Sequence, residues 1–111
     1  MSILLVNSHQ VALDKDGFLV SLTDWNETVA EALAANEGIL LSEAHFEIIY
    51  ALRQFYAEYQ LSPAMRPLVK YIGQTLGKDK GSSIYLLSLF PDSPAKLASK
   101  LAGLPKPNNC L

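Results

Sequence analysis

Cysteine is almost absent from this 111-residue chain: a single one, Cys110, stands one residue from the end. No intrachain disulfide can form, and both a disulfide framework and a cysteine zinc cluster are excluded. A lone free thiol suits a reducing compartment better than a secreted setting. Basic excess is missing too. Nine Lys and Arg against eleven Asp and Glu leave a net charge of −2, without the cationic footprint of a protein that holds nucleic acid tightly by itself. Long apolar runs are also lacking. The opening "MSILLVNSHQV" has four apolar residues in succession and no basic leader, so neither a signal peptide nor a membrane span is expected. There are no repeats, no low-complexity tracts and no long heptad seam. A cytoplasmic protein without metal or cofactor is the expectation.

What is present is a chain 50% apolar by count. At this length one domain is expected, burying roughly two thirds of its unfolded-chain surface. The first twenty residues read as β structure. "ILLV" is a short apolar run, "NSH" supplies turn formers, and Val11 and Leu13 share a side at period two. "DKDG" is a second turn, with Gly17 free to take positive φ, and "FLV" a short third segment.

Helix signals follow. Asp24 and Glu27 have capping-box spacing, with Trp25, Val29, Ala32 and Leu33 at helical period behind them. Ser42 caps "EAHFEIIYALRQFYAEYQ", where Phe46, Ile49, Tyr50, Leu52, Phe55, Tyr56 and Tyr59 form a broad apolar face. Ser62 as cap and Pro63 as first residue open a third helix, with Met65, Leu68, Val69, Ile72 and Leu76 in one stripe, Pro67 early enough to be tolerated and Gly77 at its end. A fourth is predicted over about Lys80 to Phe90, with Ile84, Leu87 and Phe90 inward, stopped by Pro91. Ser93, Pro94 and Gly103 cap, open and close a fifth. The predicted architecture is mainly α (α+β): an orthogonal bundle of about five helices with an N-terminal β-hairpin. Residues 1–103 form one globular domain (1–21 hairpin region, 24–103 bundle), and 104–111 an extended arm.

The arm, "LPKPNNCL", contains two prolines, which remove two donors and favour extended geometry. Fully extended it would span roughly 25 Å. A free cysteine has a pKa near ~8.5, and the terminal carboxylate disfavours the thiolate further. Lys100 and Lys106 would offset that if the arm folds back. His9 and His45 have no carboxylate that can be placed near Cys110 and read as structural or surface groups. The five tyrosines fall in predicted helices and read as core or groove residues. By itself a lone tail thiol is a weak signal, because chain ends are commonly loose. This one reads as a carrier whose reactivity is completed inside a partner.

The ending "AGLPKPNNC" resembles the C-terminal arm of the DsrC/TusE family. "DGFL", "NEGILLSEAHFEII", "SPAMRPLVK" and "KGSSIYLLSLFPDSPAK" extend the resemblance, in order, over nearly the whole chain. Two-cysteine members carry a further arm cysteine eleven positions before the penultimate residue; Ser99 stands there in this chain. The one-cysteine pattern resembles the TusE branch, with Asn108 and Asn109 where some relatives have Thr-Gly. The resemblance implies a helical bundle with helix-turn-helix character. It also implies a sulfur relay: Cys110 takes a sulfane sulfur from a TusBCD-like complex through its TusD-like subunit. It holds that sulfur as a persulfide and passes it to an MnmA-like tRNA thiouridylase for wobble-uridine 2-thiolation. Arg66, inside "SPAMRPLVK", is the leading supporting cation, with Lys100, Lys106, Lys70 and Lys96 behind it; as isolated charges they also read as ordinary solvated surface. The competing readings are a DsrC-like protein substrate of a sulfite reductase and a regulatory or DNA-binding module without sulfur chemistry.

Overall fold

A computed structural model describes residues 2–108. Two strands, β1 (Ser2–Val6) and β2 (His9–Leu13), pair antiparallel with Val6 opposite His9. Asn7 and Ser8 fill the turn at φ 50° and 72°, the left-handed pair that a two-residue hairpin needs to match strand twist. Leu4, Val6, Val11 and Leu13 face the core, whereas Ile3 and Leu5 are exposed. "FLV" does not make a third strand; it adds one bridge, Leu13 to Leu19. Asp14 organises that loop, its Oδ1 accepting from the Asp16 and Phe18 amides at 2.9 and 3.0 Å.

A 3₁₀ turn (Leu22–Asp24) leads into α1 (Glu27–Asn36). The cap of α1 is Asn26, not Asp24: its side chain accepts from the Val29 amide at 2.8 Å, the usual reach to the third helical residue. α2 (Glu43–Tyr59) starts at Ser42 as expected, but in a capping box completed by His45, whose Nδ1 accepts from the Ser42 amide at 3.1 Å. Its other ring nitrogen lies 2.9 Å from the Leu89 carbonyl oxygen, so His45 is a structural group.

α3 (Met65–Thr75) begins two residues later than predicted, with Ala64 at the cap position. Ser62 is drawn elsewhere, as described below. α4 (Ser83–Leu89) is short and capped by Ser82, whose Oγ accepts from the Tyr85 amide. Lys80 and Gly81 belong to the preceding turn, and this shifts the inward face. Leu86 and Phe90 are buried, but Ile84 is 83% exposed and Leu87 43%.

α5 (Pro94–Leu101) follows the predicted recipe and packs against α1, α2, α3 and α4. Ala95, Ala98, Ser99 and Leu101 are buried along it. Small residues let a short helix lie deep among four others. The arm therefore leaves from the most enclosed helix of the fold. No helix among the described residues is long and apolar enough to cross a membrane.

Candidate functional site at the root of the arm

Cys110 lies outside the described residues, so the site is built from the ground the arm stands on. α5 ends in a Schellman motif. The Gly103 amide donates to the Lys100 carbonyl at 3.1 Å and the Leu104 amide to the Ser99 carbonyl at 3.0 Å, with Gly103 at φ 72° in the left-handed region that glycine adopts without strain. A β-carbon on Gly103 would also stand 2.7 Å from Cγ of Trp25. Glycine is needed there for conformation and for room.

The two carbonyls this motif leaves over find distant donors. Trp25 Nε1 donates to the Leu101 oxygen at 2.9 Å, and Arg53 Nη1 to the Ala102 oxygen at 2.7 Å. The Arg53 guanidinium lies 4.0 Å over the Trp25 ring, and burial pushes its pKa down from the usual arginine value. A cation at a helix C-terminus opposes the negative end of the helix dipole. Tyr50 stands edge-on to Trp25 at 5.8 Å and donates its hydroxyl to the Glu27 carboxylate, which closes the cluster.

Beyond the helix the arm is tied down. Leu104 is 3% exposed. The Ser62 hydroxyl, between α2 and α3, donates to the Pro105 oxygen at 2.5 Å. Lys106 Nζ lies 3.7 Å from Asp16 Oδ2, and Pro107 is buried. Beside this root is a cleft of about 180 Å³ lined by Tyr56, Gln60, Leu61 and Asn108.

The predicted supporting cations are dispersed. Lys100 pairs with Glu37 at 3.1 Å, sits 5.3 Å over the Phe18 ring and reaches Gly17; it pins α5 to the end of α1 and the hairpin loop. Lys106 is at the arm root with Asp16 as partner. Arg66 is exposed on the first turn of α3 with no ion-pair partner among the described residues, Lys70 is exposed one turn later, and Lys96 is half-buried on α5. The sequence reads Trp25 only as a helix-face residue, though it lies before α1, gives no signal for Arg53, and reads Ser62 only as a helix cap. Their bonds span 76, 49 and 43 residues, and no local pattern carries such pairings. Ser99 is fully buried, and its hydroxyl has no hydrogen-bond partner among the described residues.

Comparison with known proteins agrees with this architecture. The profile of the DsrC-like protein family matches residues 5–111. The chain is 55% identical to a protein of Haemophilus influenzae named "Sulfurtransferase TusE homolog", over 97% of this chain and 99% of that one. It is 50% identical to "Sulfurtransferase TusE" of Sodalis glossinidius, over 95% and 97%. Among solved structures, DsrC of Allochromatium vinosum superposes with a TM-score of 0.89 at 48% identity, covering 98% of this chain and 97% of that one. The oxidised DsrC of Archaeoglobus fulgidus, described as the gamma-subunit of the dissimilatory sulfite reductase, does so with 0.85 at 40%, covering 99% and 100%. By fold, by sequence and by the arm it carries, the chain belongs to the DsrC-like protein family.

Proposed function

We propose that this protein is a sulfurtransferase of the TusE kind, a sulfur carrier that works by persulfide exchange at Cys110. The carrying observation is that the chain's single thiol follows, in the sequence, a segment that leaves a tightly capped, centrally packed helix. The names of the relatives support the sulfur-relay reading. In the forward step the Cys110 thiolate attacks the outer sulfur of a partner persulfide. The new S–S bond forms on Cys110, the partner's S–S bond breaks, and its inner sulfur leaves as a thiolate. One sulfane sulfur moves with no net oxidation, and access and leaving-group pKa govern the rate as in thiol–disulfide exchange. In the second step an acceptor thiolate attacks the outer sulfur on Cys110. The donor is a TusBCD-like complex and the acceptor an MnmA-like tRNA thiouridylase.

Ser99 weighs against the sulfite-reductase role. It occupies the place of the second thiol in two-cysteine members, and a serine hydroxyl forms no disulfide or trisulfide with Cys110. The test is intact mass of the reduced protein after exposure to a persulfide-loaded donor, alongside Cys110→Ser. The expected result is a gain of one sulfur, removed by reductant and absent in the variant, whose melting temperature stays within about 2 °C of the parent. No gain from a donor that loads another acceptor overturns the reading.

A further inference from the structure

The arm is shorter in effect than its sequence. With Leu104 buried, the Pro105 carbonyl held by Ser62 at 2.5 Å, Lys106 paired to Asp16 and Pro107 buried, its fixed end is Pro107. Two residues, Asn108 and Asn109, separate Pro107 from Cys110, a tether of three residue steps or about 10 Å at full extension. A donor whose persulfide belongs to its own folded body must then rest against the surface bordering Pro107. On one side is the polar loop carrying Asp16, already engaged by Lys106. On the other is the corner between α2 and α3.

That corner is suited to contact. Leu61 is 49% exposed at the edge of the cleft of about 180 Å³, smaller than the roughly 300–1,000 Å³ of small-molecule sites and of a size for one side chain. Two of its polar groups are engaged internally: Gln60 Nε2 donates to the Tyr56 and Ala57 carbonyls at 3.2 and 3.3 Å, and Ser62 to Pro105. Leu61 is the aliphatic side chain it leaves half exposed. Gln60, left-handed at φ 56°, sets the corner's backbone.

We infer that the α2–α3 corner beside the arm root is the docking surface for the protein that loads Cys110, its cleft taking one apolar anchor side chain of that partner. This rests on the carrier reading above. An anchor seated in a small pocket carries a large share of an interface's energy, and here it would also deliver the donor sulfur within the tether's reach.

The test compares two donors on the full-length protein and on Leu61→Asp and Leu61→Ala: glutathione persulfide, which needs no docking, and the persulfidated TusBCD-like complex. Unchanged melting temperatures establish that both variants fold. Loading by the protein donor is expected to slow at least about tenfold in Leu61→Asp and less in Leu61→Ala. Loading by glutathione persulfide and alkylation of Cys110 by iodoacetamide stay at parental rates. Equal protein-donor rates in parent and variants overturn the inference. Parallel changes with the small reagents overturn it too, because the cleft would then be occupied by the chain's own terminal residues. If the parent fails to load even from glutathione persulfide, the carrier reading falls and takes this inference with it.

Discussion

Arg53 and Trp25 act on the arm from far away in sequence by taking the last two carbonyls of α5. Arg53→Ala removes a charge-assisted bond to a part-buried oxygen and the contact with the Trp25 ring. It is expected to lower stability by about 2 kcal/mol, read as a lower urea midpoint at unchanged slope. Ser99 makes the opposite case. Its buried hydroxyl has no partner among the described residues, which leaves it desolvated without compensation from them. Ser99→Ala removes that group and places a better helix former in α5. A stability gain of about 1 kcal/mol is expected in the same titration. In the sequence Trp25 is legible only as part of a helical stripe and Ser99 only by its place in the family pattern, neither by its surroundings. Burial and distant partners are properties of the fold.

Helix ends show where local reading holds. Ser42, Ser93 with Pro94, and Gly103 all lie where capping chemistry puts them, whereas the fourth helix starts at Ser83, capped by Ser82, and not near Lys80. Ser62 does not cap its helix, because the nearby Pro105 carbonyl takes its hydroxyl. The start of α4 moves for a packing reason. The turn before it crosses α3 at a glycine pair: a β-carbon on Gly81 would sit 2.9 Å from the Val69 oxygen and closer still to the Gly73 backbone. Gly81→Ala is therefore expected to destabilise by about 2–3 kcal/mol through overpacking. Gly38→Ala, at φ 74° with nothing within 4 Å, should lose only about 1 kcal/mol from its left-handed backbone. Thermal melts of the two variants separate crowding from conformation.

The molecule as a whole is poised against alkali. The Tyr50 pKa is raised above 10.0, first by its bond to Glu27; Tyr71 is raised first by burial; Lys80 is raised above 10.5, first by its bond to Glu47. In each case the folded form holds its proton more tightly than the unfolded chain. These contributions are present below the unfolded values and are lost as pH climbs through the folded ones. Melting temperature should fall as pH climbs past the unfolded values of 10.0 and 10.5, and the fall should be shallower in Tyr50→Phe with Lys80→Gln. An equally steep fall in the double variant would assign the effect to other groups.

Period and capping chemistry were enough, from the sequence, to foresee a hairpin and five helices, because those signals act over a few residues. Strand alternation placed Val11 and Leu13 inward, and Gly103 marked the end of α5. Tertiary structure decided what these elements do for one another. It turned Ile84 and Leu87 outward once α4 started late, and gave Lys100 to Glu37 and Phe18. It set Trp25 and Arg53 on the last carbonyls of α5, and tied the arm at Pro105 and Lys106. The physical reason is range: capping and turn bonds close within about four residues, whereas the contacts that hold the arm root join segments at least 43 residues apart, which meet only when the core has formed.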